Sequence, residues 1–133
     1  MTDSDDANMQ IGQVAARTEL SIRTIRHYDD VGLVTPSARS TGGFRLYTEA
    51  DVQRLLVIRR MKPLDFTLTE MNDLLQAIDT LNEPAATAAQ QTAAADYLQQ
   101  CQAKTHDSIA RLRKHLAYAE ELDHILTARA KSR

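Results

Sequence analysis

Cysteine occurs once in these 133 residues, at Cys101. One thiol cannot close an intrachain disulfide, so a reducing compartment is the simplest setting. It also excludes a four-cysteine iron–sulfur cluster within one chain, and a soft-metal thiolate site needs at least two such ligands. Long apolar runs are missing as well. None approaches the ~20 residues of a membrane helix, and the acidic head (Asp3, Asp5, Asp6) lacks the basic-then-apolar pattern of a secretory signal. A cytoplasmic protein without a membrane partner is expected. The chain has no phosphate-cradling glycine loop, no paired carboxylates with a recognisable cleft, and no Ser/His/Asp set beyond generic surface residues. No enzyme, no cofactor and no metal site are expected.

Nor does one sign of charge dominate, since 16 Lys and Arg face 18 Asp and Glu for a net charge of -2. The distribution says more. Residues 17 to 62 hold nine basic and five acidic side chains, a local excess of +4, while acids gather in the head and again from Asp65 to Glu83. A local basic field steers a polyanion even on a mildly acidic molecule.

The length fits one domain, or one small domain with an appendage. Residues 1–9 are polar and read as a flexible head. From Ile11 the spacing turns helical, with Ile11, Val14 and Ala15 inward and an end near Thr18 and Glu19. Ser21 offers its hydroxyl as the cap of a second helix, with Ile22 and Ile25 inward and Gly32 as its end signal. Two short helices separated by about three residues form a helix-turn-helix pattern. Pro36 and Gly42-Gly43 then punctuate a short hairpin, or wing, carrying Arg45 and Tyr47. Thr48 and Asp51 approximate a capping box opening a third helix that Pro63 should end. Thr67 and Glu70 open a fourth. The predicted domain spans 10–80.

Neither proline nor glycine follows Pro84, so one long helix from Ala85 nearly to the C-terminus is predicted, with residues 84–128 as a dimerisation helix. Leu98, Ile109, Leu112, Leu116, Ala119 and Leu126 fall near a seven-residue repeat, interrupted at Gln102 and Asp123. Burying each Leu or Ile contributes roughly 1.5–3 kcal/mol, so such a stripe calls for a partner. A homodimer follows; an intrachain fold-back is the other solution. The fold class expected is mainly α.

A helix-turn-helix places its second helix in the major groove. Arg23, at the start of that helix, is the first candidate for DNA contact, through guanine or through phosphate. Thr24 and Arg26 come next, and Arg17 could reach the backbone from the first helix. The rival reading is a non-catalytic coiled-coil interaction module whose N-terminal helices bind protein.

The segment IGQVAARTELSIRTIRHYDDVGLVTPSARSTGGFRLYTEADVQRLLVIRRM, followed by FTLTEMNDLL, resembles the DNA-binding domain of MerR-family transcriptional regulators. The resemblance runs from Ile11 to about Leu75, and the helix after Pro84 stands where that family has its antiparallel coiled-coil dimerisation helix. It implies a winged helix-turn-helix homodimer on a pseudo-palindromic promoter element of double-stranded DNA. Such dimers bend and underwind the duplex to align the promoter for RNA polymerase; repression by simple occlusion is the alternative. Carried over, Arg23 and Thr24 resemble groove or adjacent-backbone contacts, and Tyr28 the aromatic that packs against or touches a phosphate. Arg45 and Tyr47 resemble backbone-gripping wing residues, and Lys62 an extension of that footprint. Two positions depart: His27 replaces the first Tyr of a Tyr-Tyr pair, and Asp65 stands where Gly is common. Asp tolerates unusual torsion better than most residues.

Effector signals are sparse. Cys101 is the one candidate thiol sensor, and its place near the apolar stripe reads as a small buried hydrophobe. His106, His115 and His124 are nine residues apart and read as a solvated face. No additional drug-binding domain is expected before Arg133, and the readings left open are an inducer pocket for a small molecule at the dimer interface, a very weak site, or regulation by abundance alone.

Overall fold

A computed structural model describes residues 7–132. Residues 1–6 of the expected flexible head lie outside the described residues. By internal packing the chain divides into Met1–Asp79 and Thr80–Arg133.

In the first unit the order is β1 (Met9–Gln10), α1 (Ile11–Thr18), α2 (Ile22–Asp30), β2 (Ala38–Arg39), β3 (Arg45–Tyr47), α3 (Glu49–Met61), a 3-10 turn (Lys62–Leu64) and α4 (Leu68–Leu81), whose last residues pass the unit boundary. Local chemistry sets these bounds. Ser21 Oγ accepts from the Thr24 N–H at 3.0 Å and starts α2. Reciprocal boxes open α3 (Thr48 with Asp51) and α4 (Thr67 with Glu70). Pro63 ends α3 by drawing the chain into the 3-10 turn. Asp65 closes that turn at φ 65, the left-handed conformation for which Gly is the usual choice.

Val14, Ile25, Tyr28, Tyr47, Val52, Leu55, Ile58, Met71 and Leu75 form the core. Ile22, expected inward, opens α2 and is exposed, and the buried face of that helix begins one turn later at Ile25 and Tyr28. The wing is a small antiparallel sheet of order β1-β3-β2. β1 was not expected. Met9 pairs with Tyr47 and Gln10 with Leu46, so the segment just before α1 forms the third strand of the wing.

The second unit is dominated by α5, 44 residues from Ala88 to Lys131, about 66 Å at 1.5 Å per residue. It begins three residues later than the composition suggests, because Thr87 and Gln90 form a capping box that defines the first turn. Arg129 and Lys131 sit in the last turn, where cations complement the helix dipole.

Candidate nucleic-acid interface

The turn between α1 and α2 is held from three sides. Thr18 Oγ1 donates to the Val14 carbonyl at 2.8 Å, the Leu20 N–H donates to Thr18 Oγ1 at 3.3 Å, and Arg59 from α3 donates to the Thr18 carbonyl at 2.8 Å. The last of these satisfies a carbonyl at the end of α1 and ties the turn to the core helix. Fixed in this way, α2 buries Ile25 and Tyr28 and exposes Arg23 and Arg26. These two arginines, three residues apart, are neighbours on the helix surface. Thr24 lies between them, half-buried, its hydroxyl 2.8 Å from that of Ser21 and engaged in the cap.

The other predicted residues are placed differently. Arg17 is turned onto Glu49 of α3 through two hydrogen bonds, its Nη2 lying 2.8 Å from Oε1. That hydrogen bonding holds the Glu49 carboxyl below its usual range. Arg45 donates from Nε to Asp29 Oδ2 at 2.7 Å. Tyr47, which the resemblance makes a backbone-gripping residue, is fully buried, and its hydroxyl has no hydrogen-bond partner. In this conformation it reaches no phosphate; the alternation along β3 turns it inward, between Leu46 and the capping Thr48. Tyr28 is buried too, but it lines a surface notch with His27, Lys62 and the apolar Phe66, Leu68 and Met71. The His27 and Tyr28 rings are tilted at 45° with centroids 6.0 Å apart. The structure thus gathers Lys62, Tyr28 and His27 at one place, Arg23 and Arg26 at a second, and Arg45 on the wing at a third.

Two wing-associated residues escape sequence reasoning. Arg39 lies directly opposite Arg45 across the hairpin, and Asp29, on α2, touches both. The Gly42-Gly43 turn hints at such a pairing, but the hairpin register was needed to align the two arginines.

On α5 the predicted stripe is open. Leu98 is half-buried, while Ile109, Leu112, Leu116, Ala119 and Leu126 are exposed. Tyr118, Leu122 and Ile125 are exposed as well and add a second apolar row beside the first. Cys101 is buried. Among the described residues no group of three or more His, Cys, Asp and Glu could hold a metal ion, and no helix is long and apolar enough to cross a membrane.

Two short helices joined by a tied turn, followed by a small sheet, define a helix-turn-helix regulatory fold with a long helix after it. The profile described as the MerR HTH family regulatory protein matches residues 9–78, and this chain belongs to that family. It is 44% identical over 66 residues to the HTH-type transcriptional activator mta of Bacillus subtilis, covering 50% of this chain and 26% of that protein. The chain thus spans about a quarter of that relative's length. Among solved structures, the transcription regulator PbrR691 from Ralstonia metallidurans, in complex with lead(II), aligns with a TM-score of 0.53 and 35% identity over 81% of this chain and 83% of its own. HiNmlR, a MerR-family regulator lacking the sensor domain and bound to promoter DNA, aligns with a TM-score of 0.63 over 91% and 92% of the two chains, and at 21% identity shares the fold.

Proposed function

We propose that this chain is a sequence-specific DNA-binding transcriptional regulator that acts as a homodimer on a pseudo-palindromic promoter element. One observation carries the reading: Arg23 and Arg26 stand exposed on the second helix of a tied helix-turn-helix, the helix that enters the major groove in this motif. In this reading 10–80 is the DNA-binding domain and 84–128 the dimerisation helix. Arg23 meets guanine or phosphate, Arg26 and Thr24 flank it, and Lys62 and Tyr28 receive a phosphate at their shared notch. Arg45 grips the backbone from the wing. Tyr47 supports that wing by packing, and Arg17 reaches DNA by exchanging Glu49 for a phosphate.

The exposed rows on α5 support self-association in an antiparallel coiled coil, which sets two copies of α2 at a fixed separation. Bending a promoter-sized duplex costs on the order of 1–6 kcal/mol, and the backbone contacts of the wings offset it. Activation by distortion that aligns the promoter for RNA polymerase is therefore the favoured mechanism, with occlusion as the alternative; mta carries the name of an activator.

The test is binding of the purified protein to a duplex from its own upstream region and to a scrambled duplex of equal length, across a salt series. Preference for the upstream duplex, with a steep salt dependence, is expected. Equal affinity for both removes specific regulation.

A further inference from the structure

Arg39 on β2 and Arg45 on β3 occupy directly opposed positions. Like charges so placed repel and weaken a strand pair. A hairpin needing only stability has easier choices, such as a threonine pair. Here a third residue offsets the repulsion. Asp29, in the last turn of α2 and only 13% exposed, accepts from Arg45 Nε at 2.7 Å and lies 3.5 Å from Arg39 Nη2. Arg39 Nη1 also donates to the Gly43 carbonyl at 3.1 Å, in a turn that Gly43 closes at φ 83. One carboxylate therefore fixes two cations from neighbouring strands and ties them to the second helix of the helix-turn-helix.

The brace leaves the arginines usable. A guanidinium carries five N–H donors in a rigid fork, and Asp29 and Gly43 engage two on Arg39 and one on Arg45. Arg39 is 51% exposed and Arg45 23%. Asp30, 3.9 Å from Arg45 Nη2 and largely exposed, is a loose surface pair that salt screens readily. A fork already held in place loses less freedom when it meets a phosphate.

We propose that Arg39 and Arg45 form a two-pronged clamp for the DNA backbone, with Arg39 a direct phosphate contact and Asp29 the positioning residue that aims both. The proposal rests on the DNA-binding reading above and adds to it a contact and a brace.

Because Asp29 touches no DNA while Arg39 does, their substitutions separate in a salt series on the upstream duplex. Arg39→Ala weakens binding and lowers the slope of log K against log salt by about one, the signature of one lost phosphate contact. Asp29→Asn weakens binding roughly tenfold, as expected for coupling between contacting charges, yet leaves the slope near its original value because no cation is lost. In an R39A/R45A background, D29N has no further effect. Without DNA, the Arg45 Nε–H resonance exchanges slowly in the unsubstituted protein and rapidly in D29N. A folded D29N that binds as tightly as the parent overturns the inference. Should D29N melt below the assay temperature, R39A decides: an unchanged slope overturns it. If the unsubstituted protein binds neither duplex, the regulatory reading falls, and this inference with it.

Discussion

Leu55 and Ile58 in the first unit are wholly enclosed, whereas Leu112 and Leu116 in the second are 48% and 58% exposed. The first unit encloses most of its large apolar residues, with Ile22, Val31, Phe44 and Leu68 left exposed. Its helices run 8 to 14 residues, lengths that are marginal alone in water and are held by packing. The second unit is the reverse. α5 is three times as long as α4, lacks Gly and Pro, and is capped by Thr87 and Gln90, so its backbone is stable on propensity. Its side chains are what remain unsatisfied. Exposed apolar surface of that extent marks an interaction site. The contrast teaches that the first unit packs largely on itself, while the second carries an apolar surface that its own helix leaves uncovered.

Placing charge in that second surface is the strongest way to break the comparison. The L112E/L116E pair puts carboxylates in the proposed seam, where unpaired charge is not tolerated. A monomer is expected at micromolar concentration by light scattering, with loss of affinity for the upstream duplex of a hundredfold or so, since linked half-sites no longer reinforce each other. The first unit should keep its melting transition. A variant that stays dimeric would place the subunit contact elsewhere.

Leu55→Ala makes the complementary cut. Truncating a fully enclosed leucine costs about 2–5 kcal/mol, so the first unit should melt far earlier while the α5 stripe and dimerisation persist in light scattering. Arg23→Ala comes next in size. It should leave the melting temperature of both units in place and reduce affinity for the upstream duplex. If Arg23 reads guanine, about 1–3 kcal/mol of discrimination over the scrambled duplex disappears with it. Equal loss on both duplexes assigns it to phosphate.

Much of the first unit was legible because its signals are local. Ser21, Thr48 with Asp51, and Thr67 with Glu70 each act within one helical turn, so the residues alone place the caps. Asp65 likewise adopts the left-handed torsion that the family resemblance, with Gly common at this place, leads one to expect. Exposure of Arg23 and Arg26 follows from the inward place expected of Ile25, although Ile22, expected inward with it, is exposed. Contacts between distant segments were not legible. A two-residue strand such as Met9–Gln10 has no period to detect, and only its pairing with Leu46 and Tyr47 reveals it. Asp29 looks like any helix-surface acid until the hairpin register brings Arg39 and Arg45 to it. The depth of Tyr47 depends on the same sheet. The Thr87 cap is the exception: Thr-x-x-Gln is a local signal, masked by the helix propensity of the alanines around it.

Tyr47 also supplies the smallest effect and the finest test of packing in the first unit. Its ring fills the core, but its enclosed hydroxyl donates to nothing. An unsatisfied buried polar group costs on the order of 1–3 kcal/mol, so Tyr47→Phe, which keeps the ring, should raise stability by about 1 kcal/mol. The pH dependence fixes the cause. Burial first, and then the nearby Asp29 charge, raise the Tyr47 pKa above its ordinary value. The folded state therefore keeps this proton after the unfolded chain has released it, and stability falls as pH rises above the ordinary tyrosine value of about 10. Y47F removes this contribution, so its advantage over the parent should widen between neutral and strongly alkaline denaturant titrations. Some alkaline loss persists in Y47F, because burial raises Tyr28 in the same direction. An advantage constant with pH, or a Y47F protein less stable than the parent, would mean that the hydroxyl is satisfied in solution.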